Sequence, residues 1–284
     1  MKLVTFIYKD KEQPGVLSPE GTHVIPLEGW ATLEAFITDC AGESPASRLP
    51  DAAGIPLSEV RLTAPIPNPR HDILCIGQNY LAHAIESCQF KGIEYVKPRH
   101  PMYFGKRVNR AVASGEPVPS HSDITGQLDY EVELAVIIGK RCDHAKPEDV
   151  FDYIFGYTIV NDISARDIQN AHVQYTFGKS LDGFAPMGPW IVTVDEFQSP
   201  PDLRISTKIN GDLRQDSRTS DFIFDIPHII SELSSGIVLE PGDIIITGTP
   251  SGVGMGLKPP CFLLPGDVIE CEIEGIGKLI NTVE

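Results

Sequence analysis

The stretch Asp129–Lys140, with the sequence DYEVELAVIIGK, limits the possible folds more than any other part of the chain. If it forms a β-strand, alternate side chains point to opposite faces. One face is then aliphatic and carries Val132, Leu134, Val136 and Ile138. The other face begins with Glu131 and Glu133 and becomes apolar at Ala135 and Ile137. Because a face exposed to water would stay polar along the strand, the pattern predicts a strand covered on both faces.

Two carboxylates on a mostly buried strand repel each other and lose their hydration, at a cost of several kcal/mol each. A hard divalent cation would offset this cost, since Mg²⁺ and Mn²⁺ prefer oxygen ligands in open octahedral sites. Asp162, at the end of the β-branched run in GYTIVNDISARD, is available as a third ligand. The alternative, from the strand pattern alone, is an amphipathic edge strand with Glu131 and Glu133 in solvent.

Charge and composition exclude some classes of partner. A formal net charge of −16 over 284 residues argues against nucleic acid and anionic membranes, although a local cationic pocket could still bind a small anion. No apolar run approaches the length of a bilayer span, and the first residues lack the features of a leader peptide. The cysteines are scattered without zinc spacing, as reduced thiols are. We therefore expect a soluble, cytoplasmic protein.

The N-terminal part is predicted to be small and separate. Residues 2–27 resemble an antiparallel meander with a turn at Gln13–Gly15. Leu33–Cys40 could form one short helix, and the polar stretch Gly42–Ala53 is typical of a loop. The proline-rich segment Arg61–Pro69 predicts a linker rather than a central strand.

We accordingly place a domain boundary near residue 68, with a small N-terminal domain over residues 1–68 and a catalytic domain over 69–284. Helices in the second part are few, and Pro227–Ser234 after Asp225 is the clearest. Ten strands are predicted there: Asp72–Ile76, Met102–Phe104, Ala111–Ala113, Val132–Ile138, Tyr153–Asn161, Trp190–Thr193, Leu203–Ile209, Ile244–Thr247, Val268–Ile273 and Gly277–Val283. The predicted fold class is α+β, mostly β, because helices do not alternate regularly with strands.

A helix predicted over Tyr80–Ser87, with Asn79 as its N-cap, carries a possible base. His83 and Glu86 are three residues apart and lie side by side on one face. A carboxylate beside an imidazole orients it and raises its basicity, as general base catalysis requires. The alternative is a surface pair of little consequence. The polar segment that follows the helix, up to Met102, is typical of a mobile loop or lid.

Several cations follow the acidic residues. Arg166 and Gln169 come four and seven residues after Asp162, which is the spacing of one helical face. Lys179, in FGKSLDGF, lies between aromatic residues and glycines, where it would be partly desolvated and available to an anion. Lys106 belongs to a second small basic cluster. Each cation alone is better explained as a solvated surface charge, but together they suit a metal-bound substrate that carries a carboxylate.

The segment ITGTPSGVG, residues 246–254, is a strand that enters a turn rich in Gly, Thr and Pro. Its free backbone N–H groups and the Thr249 hydroxyl could bind an anion. The segment lacks the G-K-[ST] of a Walker loop and does not match the dinucleotide-binding fingerprint. A plain tight turn is the alternative.

Six segments in this order resemble those of the fumarylacetoacetate hydrolase superfamily: GQNYLAHAIE, DYEVELAVIIGK, GYTIVNDISARDIQ, GKSLDGFAPMGP, GDIIITGTPSGVG and GDVIECEIEGIGKLIN. The resemblance runs from about residue 70 to the C-terminus. Within the superfamily, Lys258–Asp267 is most similar to the branch of fumarylacetoacetate hydrolase domain-containing protein 2 and the bacterial 2-hydroxyhepta-2,4-diene-1,7-dioate isomerases.

The resemblance implies a mixed β-sandwich roll, a homodimer and one Mg²⁺ or Mn²⁺ ion. The implied metal ligands are Glu131, Glu133 and Asp162. The implied catalytic residues are His83, Glu86 and Lys179. The implied substrate contacts are Lys106, Arg166, Gln169 and Thr249.

The implied substrate is a small 2-oxo acid or its enol, which reacts through a metal-stabilised enolate. We expect hydrolysis of a C–C bond in an acylpyruvate-type substrate, because the His83–Glu86 pair favours chemistry that needs a base. The alternatives are oxaloacetate decarboxylation, oxaloacetate tautomerisation and 2-hydroxyhepta-2,4-diene-1,7-dioate isomerisation, since a fold does not choose among them. A non-enzymatic binding protein is disfavoured, because the acidic triad and the dyad are both intact.

Overall fold

A large mixed sheet forms the centre of the computed structural model, which describes residues 1–49 and 54–284. The described strands are β1 (Lys2–Tyr8), β2 (Lys11–Leu17), β3 (His23–Pro26), β4 (Ile55–Pro56), β5 (Arg61–Leu62), β6 (Ile73–Gly77), β7 (Met102–Lys106), β8 (Leu128–Asp129), β9 (Val132–Ile138), β10 (Ile154–Asn161), β11 (Ser164–Ala165), β12 (Met187–Thr193), β13 (Arg204–Ile209), β14 (Asp212–Arg218), β15 (Ile244–Ile246), β16 (Val268–Ile273) and β17 (Gly277–Thr282). The described α-helices are α1 (Leu33–Cys40), α2 (Leu81–Lys91), α3 (Arg166–Ala171), α4 (Thr176–Lys179) and α5 (Ile226–Ser234).

The strands are arranged in two main layers. The large sheet has the order β4-β3-β2-β1-β12-β10-β9-β15-β6-β7, and β5 also pairs with β1. Its pairs are antiparallel except for β15 and β6, which run parallel. A second sheet has the order β14-β13-β16-β17. The fold is therefore α+β and mostly β, as predicted, because strands dominate and the few helices cover them.

The strand β9 is the most deeply enclosed element, and all seven of its residues are buried. Val132, Leu134 and Val136 pack in the core that includes Ile205 and Ile273 of the second sheet. Ala135 and Ile137, on the opposite face, pack in a different core. That second core contains side chains of α1: Leu33, Phe36, Ile37 and Cys40. The prediction that both faces of this strand are covered is confirmed.

The N-terminal strands differ from the prediction in detail. The turn lies at Lys9 and Asp10, whose φ angles of 50° and 61° fit the tight hairpin turn that joins twisted strands. The predicted turn at Gln13–Gly15 is wrong, because these residues lie inside β2. The loop predicted over Gly42–Ala53 contains the 3-10 helix Pro45–Arg48, and its residues 50–53 lie outside the described part of the chain.

The N-terminal strands belong to the same sheet as the rest of the chain. β1 pairs with β12, and Lys2 lies opposite Val192. The start of the predicted linker, at Arg61 and Leu62, forms β5 and pairs with β1. The two parts of the chain therefore share main-chain hydrogen bonds, and the boundary at residue 68 stays a prediction. None of the described helices is long and apolar enough to cross a membrane.

Helix prediction succeeded for α1 and α5 and needs correction at α2. The bounds of α1 match the prediction, and Asp225 caps α5 by accepting a hydrogen bond from the amide of His228. Asn79 does not cap α2, which begins after Tyr80. The Asn79 side chain instead donates to the carbonyls of Phe224 and Thr247, at 3.0 and 2.8 Å. It therefore joins the start of α2 to two distant segments.

One strand prediction is wrong, and the strand β14 is missing from the predictions. The predicted strand at Ala111–Ala113 is only an isolated bridge between Val112 and Pro186. The strand β14 was not predicted, since its sequence DLRQDSR is polar and most of it is exposed or half-buried. It pairs with β13 at the edge of the second sheet, so it needs few apolar side chains.

Candidate metal and substrate site

Three buried carboxylates converge at the start of β9. Glu131, Glu133 and Asp162 each offer an oxygen, and these oxygens lie within 4.8 Å of one another. The register of the sheet explains the convergence, because Glu133 lies opposite Val160 on β10 and the Asp162 amide donates to the Glu131 carbonyl at 2.8 Å. Three carboxylate oxygens so placed fit a hard divalent cation. This cluster can therefore hold a metal ion.

The electrostatics of the cluster are unequal. Burial raises the pKa of Glu133 far above its ordinary value, and the charges of Asp162 and Glu131 raise it further. Burial also raises the pKa of Glu131, but Lys179 and Arg166 outweigh this effect and hold it below its usual range. Glu133 accepts one short hydrogen bond, from the Gly248 amide at 2.6 Å. Within the described residues no cation forms an ion pair with Glu133, so a bound cation would stabilise the cluster most at this carboxylate.

Lys179 bridges two of the predicted ligands. Its Nζ lies 2.6 Å from Glu131 Oε2 and 2.6 Å from Asp162 Oδ2. Burial lowers its pKa, but Asp162 and Glu131 raise it more, so the net shift is upward and the amine stays protonated. Gly178 allows α4 to approach α3, because a Cβ there would lie 2.6 Å from the amide nitrogen of Gln169.

Lys106 lies behind Asp162 and is fully buried. Its Nζ is 2.7 Å from Asp162 Oδ1 and donates to the carbonyls of Ile163 and Lys179. Burial lowers its pKa, and Asp162 offsets this only in part. Among the described residues that line the adjoining cavity, Lys106 is absent. The structure therefore places it as a support of Asp162 rather than beside the substrate space.

Arg166, at the first position of α3, is held on two sides. Its Nε donates to Asp129 Oδ2 at 2.9 Å, and its Nη1 contacts Glu131 Oε1 at 2.6 Å and Gln169 Oε1 at 3.1 Å. Its Nη2 is buried and has no hydrogen-bond partner among the described residues. Since Arg166 lines the cavity, this nitrogen is available to donate a hydrogen bond to a substrate oxygen.

Considered one at a time, Lys106, Arg166 and Lys179 were better explained as surface charges. The structure shows that this explanation is wrong. All three are at most 2% exposed. Four buried carboxylates surround them: Asp129, Glu131, Glu133 and Asp162. With every group ionised, four negative and three positive charges leave one net negative charge. Buried charges persist when they are paired and hydrogen-bonded in this way.

Asp129 is a member of the site that the sequence analysis missed. Besides Arg166, its carboxylate accepts hydrogen bonds from the amides of Tyr130, Gly254 and Met255, at 3.0, 2.6 and 3.0 Å. It is fully buried. The only signal in the sequence was its position at the head of DYEVE, directly before the predicted ligands. Asp129 connects Arg166 to the turn after β15.

The turn after β15 was predicted as a possible anion site built from free amides, but three of its amides are not free. These three amides bind the protein's own carboxylates: Gly248 donates to Glu133, Gly252 to Glu86 and Gly254 to Asp129. Thr249 lies on the cavity wall, as the predicted substrate contact requires. Its Oγ1 accepts a hydrogen bond from Gln215 Nε2 at 2.7 Å, and Gln215 was not predicted either.

The predicted dyad is assembled on α2. His83 Nδ1 lies 3.2 Å from Glu86 Oε2, and His83 is 4% exposed. Glu86 also accepts the Gly252 amide at 3.0 Å. The close approach depends on Gly256, since a Cβ there would lie 1.9 Å from Glu86 Oε1. The pair is therefore not the solvated surface pair that the sequence left open.

One cavity brings most of the predicted residues together. The described residues that line it include His83, Glu131, Glu133, Arg166, Gln169, Lys179 and Thr249. Asp162 contacts the cavity residues through Lys179, and Glu86 contacts them through His83. The arrangement combines an oxygen-ligand cluster, an imidazole and an unpartnered guanidinium nitrogen in one space. Such a site can bind an anionic carbonyl compound and move its protons.

Comparison with known proteins agrees with this geometry. The family model described as fumarylacetoacetate (FAA) hydrolase C-terminal matches residues 72–284. The chain belongs to the fumarylacetoacetate hydrolase family. It is an enzyme of that family, and its family assignment from the six sequence motifs is confirmed.

Three known proteins show the extent of the similarity. The oxaloacetate tautomerase YisK of Bacillus subtilis is 52% identical over 227 residues, which cover 80% of this chain and 74% of that protein. The structure of fumarylacetoacetate hydrolase from Exiguobacterium antarcticum matches with a TM-score of 0.87 and 40% identity, covering 100% of this chain and 99% of that one. The 2-hydroxyhepta-2,4-diene-1,7-dioate isomerase of Mycobacterium marinum matches with a TM-score of 0.74 and 33% identity, covering 100% and 98%.

Proposed function

We propose that the protein is a divalent-metal-dependent tautomerase that interconverts the keto and enol forms of oxaloacetate or a closely similar 2-oxo acid. The observation that carries the proposal is the shared cavity, in which the acidic cluster, the His83–Glu86 pair and the free Nη2 of Arg166 meet. The 52% identity to an oxaloacetate tautomerase supports the choice of reaction. It favours tautomerisation over the hydrolysis that the sequence analysis placed first.

The acidic cluster provides the place for a metal ion. Glu131, Glu133 and Asp162 would hold Mg²⁺ or Mn²⁺, and a bound ion would supply positive charge next to the substrate oxygen that becomes an enolate. The donor set is all oxygen, as that ion prefers, and these oxygens lie within 4.8 Å of one another. Lys179 adds a fixed positive charge between Glu131 and Asp162.

Arg166 would orient the substrate. Its Nη2 is buried without a hydrogen-bond partner among the described residues, while its Nε and Nη1 are held by Asp129 and Glu131. A carboxylate that accepts a hydrogen bond from Nη2 satisfies this buried donor. The carboxylate next to the 2-oxo group is the natural partner, because it places the carbonyl carbon and C3 within the same small space.

His83 would move the proton. With its Nδ1–H donated to Glu86, its Nε2 carries the lone pair that accepts a proton from C3 of the keto form. The C2 oxygen must gain a proton to form the enol, and the protonated Lys179 is the acid that can deliver it. The proton on His83 then returns to Lys179 through water, so the reaction consumes and releases no net proton.

Hydrolysis of an acylpyruvate is the second candidate, and the same His83–Glu86 pair favours it, because a base that removes a C3 proton can also activate water. Hydrolysis requires a water molecule beside His83, whereas tautomerisation requires C3 of the substrate there. The homodimer, the choice between Mg²⁺ and Mn²⁺ and the cytoplasmic location stay predictions.

Proton NMR can separate the two candidates. Oxaloacetate is added with Mg²⁺, and the approach to keto–enol equilibrium is followed with the protein, with chelator and with Mg²⁺ alone. We expect faster exchange that depends on protein and metal, with no release of CO₂ or pyruvate above the Mg²⁺ background. Acetylpyruvate is tested in parallel. If it yields acetate and pyruvate more efficiently than oxaloacetate equilibrates, the protein is a hydrolase and the proposal is wrong.

The variant His83→Ala gives a second comparison on both substrates. Tautomerisation should retain part of its rate, because solvent can accept the C3 proton while the charge stabilisation by the remaining residues is unaffected. Hydrolysis should fall to background, since water then has no base.

A further inference from the structure

Three residues of the helix α2 line the cavity, and the proposed reaction uses only the first of them. His83, Ser87 and Lys91 are spaced by four residues and therefore lie on one face of the helix. All three line the cavity. His83 is buried, while Lys91 is exposed at the mouth. The cavity wall thus runs from the proposed base to an ammonium group.

The charge on Lys91 differs from those deeper in the cavity. Arg166 and Lys179 are each paired with buried carboxylates. Lys91 makes no ion pair with any residue in the described ranges 1–49 and 54–284. Among the described residues, Lys91 is therefore the cavity-lining cation that no carboxylate neutralises.

A neutral aromatic residue holds the Lys91 ammonium at the mouth. Its Nζ donates to the Tyr175 hydroxyl at 3.2 Å and lies 5.5 Å from the centre of the Tyr175 ring. Tyr175 packs edge-to-face on Phe104, with ring centres 5.6 Å apart. Both aromatic residues line the cavity. An ammonium held by a phenol and a ring face keeps its charge available to an anion.

We propose that Lys91 is a specificity-determining residue, which recognises the second carboxylate of a dicarboxylic 2-oxo acid. The proposal rests on the proposed function, in which Arg166 binds the carboxylate next to the carbonyl and so directs the other end of the substrate along α2. A second carboxylate at the mouth needs a local cation, because the chain as a whole carries a net charge of −16. A monocarboxylic 2-oxo acid has no group for Lys91 to bind.

A simpler role for Lys91 makes a different prediction. A lysine in the last turn of a helix interacts favourably with the helix dipole and so stabilises the helix. If that were its only role, its replacement would lower stability slightly and affect all substrates equally. Substrate discrimination is therefore the measurement that distinguishes the two roles.

The test compares oxaloacetate with 2-oxobutanoate, which has four carbons but lacks the second carboxylate. Enolisation of either is measured in D₂O with Mg²⁺ as the loss of the C3 proton signal. We expect Lys91→Met to raise KM for oxaloacetate about tenfold, the order expected for one lost charge-assisted hydrogen bond. KM for 2-oxobutanoate and kcat for both should change less than about twofold. Lys97→Met, an exposed lysine beyond the same helix, is the control.

Equal losses on both substrates, or no loss on either, would overturn the role of Lys91. Binding of the two acids to the Mg²⁺-loaded protein, measured by calorimetry, separates this result from a failure of the proposed function. If the wild type enolises neither acid but binds oxaloacetate more tightly than 2-oxobutanoate, and Lys91→Met abolishes that preference, the proposed reaction is wrong and the role of Lys91 stands. If the preference survives in Lys91→Met, the role of Lys91 is wrong.

Discussion

The Nε of Arg166 donates to Asp129 Oδ2 at 2.9 Å, and both side chains are almost completely shielded from solvent. The other oxygen of Asp129 accepts the Gly254 amide at 2.6 Å, and Oδ2 also accepts the Met255 amide at 3.0 Å. The Asp129 carboxylate thus holds both the Arg166 guanidinium, which keeps one free nitrogen, and the turn after β15. The Gly252 amide in the same turn donates a hydrogen bond to Glu86 of the dyad. Asp129 therefore joins the proposed substrate contact to the proposed base.

Asp129→Asn should impair substrate binding more than turnover. Both oxygens of Asp129 accept hydrogen bonds, so the amide NH₂ of asparagine would face a donor whichever way it turns. The guanidinium also loses one of its two charge partners, and breaking a buried pair costs about 3–5 kcal/mol. We expect a lower Tm and a KM for oxaloacetate raised at least about tenfold.

The control is Asp216→Asn, which removes the exposed partner of Arg204. That pair should contribute less than about 1 kcal/mol, because exposed pairs are screened by water. If Asp129→Asn lowered Tm but left KM unchanged, Asp129 would be a structural residue only.

Local pattern was enough to predict the elements that are defined by their own side chains. The bounds of α1 and β9 match the predictions, because each has a clear apolar period, and the motifs led to the right family. The polar strand β14 was missed for the same reason, since an edge strand with a solvated face has no such pattern.

Contacts between residues far apart in the chain could not be predicted from the sequence. Asp129 binds Arg166, 37 residues away, and Gly254, 125 residues away, so nothing near it in the chain reveals its role. Lys106 was predicted to contact the substrate, because the sequence cannot show that Asp162 folds against it. The predicted metal ligands came together because β-sheet register is local to β9 and β10, which the pattern did define.

Glu133→Gln should have opposite effects on the metal-free protein and on metal binding. The glutamine oxygen can still accept the Gly248 amide, while the repulsion from Glu131 and Asp162 is removed. We expect the Tm of the metal-free protein to rise. The increase in Tm on adding Mg²⁺ should be lost together with activity, because one anionic ligand is missing. Differential scanning fluorimetry with chelator and with Mg²⁺ measures both effects. Glu28→Gln, an exposed residue, serves as the control; a cation response equal in both variants would remove Glu133 from the ligand set.

Gly256→Ala should disturb the dyad without unfolding the protein. The new Cβ would lie 1.9 Å from Glu86 Oε1, and the end of a flexible side chain can move away at small cost. Glu86 would then leave His83 and the Gly252 amide, and we expect kcat to fall at least about tenfold with a small change in Tm. Gly126→Ala is the matched control, because a Cβ there meets no atom within 4 Å. Equal activity of the two variants would show that the position of Glu86 does not matter for turnover.

Lys179→Met should strengthen cation binding while abolishing turnover. Nζ lies 2.6 Å from both Glu131 Oε2 and Asp162 Oδ2, so its charge competes with a divalent cation for the same two oxygens. Without it, these carboxylates are left with less neutralising charge, and a metal ion gains more by binding. We therefore expect a lower Tm in chelator, a larger increase in Tm on adding Mn²⁺ and a lower Kd for Mn²⁺ by calorimetry.

Activity should nevertheless be lost in Lys179→Met, since the proposed acid for the substrate oxygen is missing. Lys11→Met, on the exposed end of β2, controls for the change of residue type. Weaker Mn²⁺ binding in Lys179→Met would mean that Lys179 organises the two carboxylates for the ion rather than competing with it. Retained turnover would exclude Lys179 as the proton donor and leave the solvent as the source of that proton.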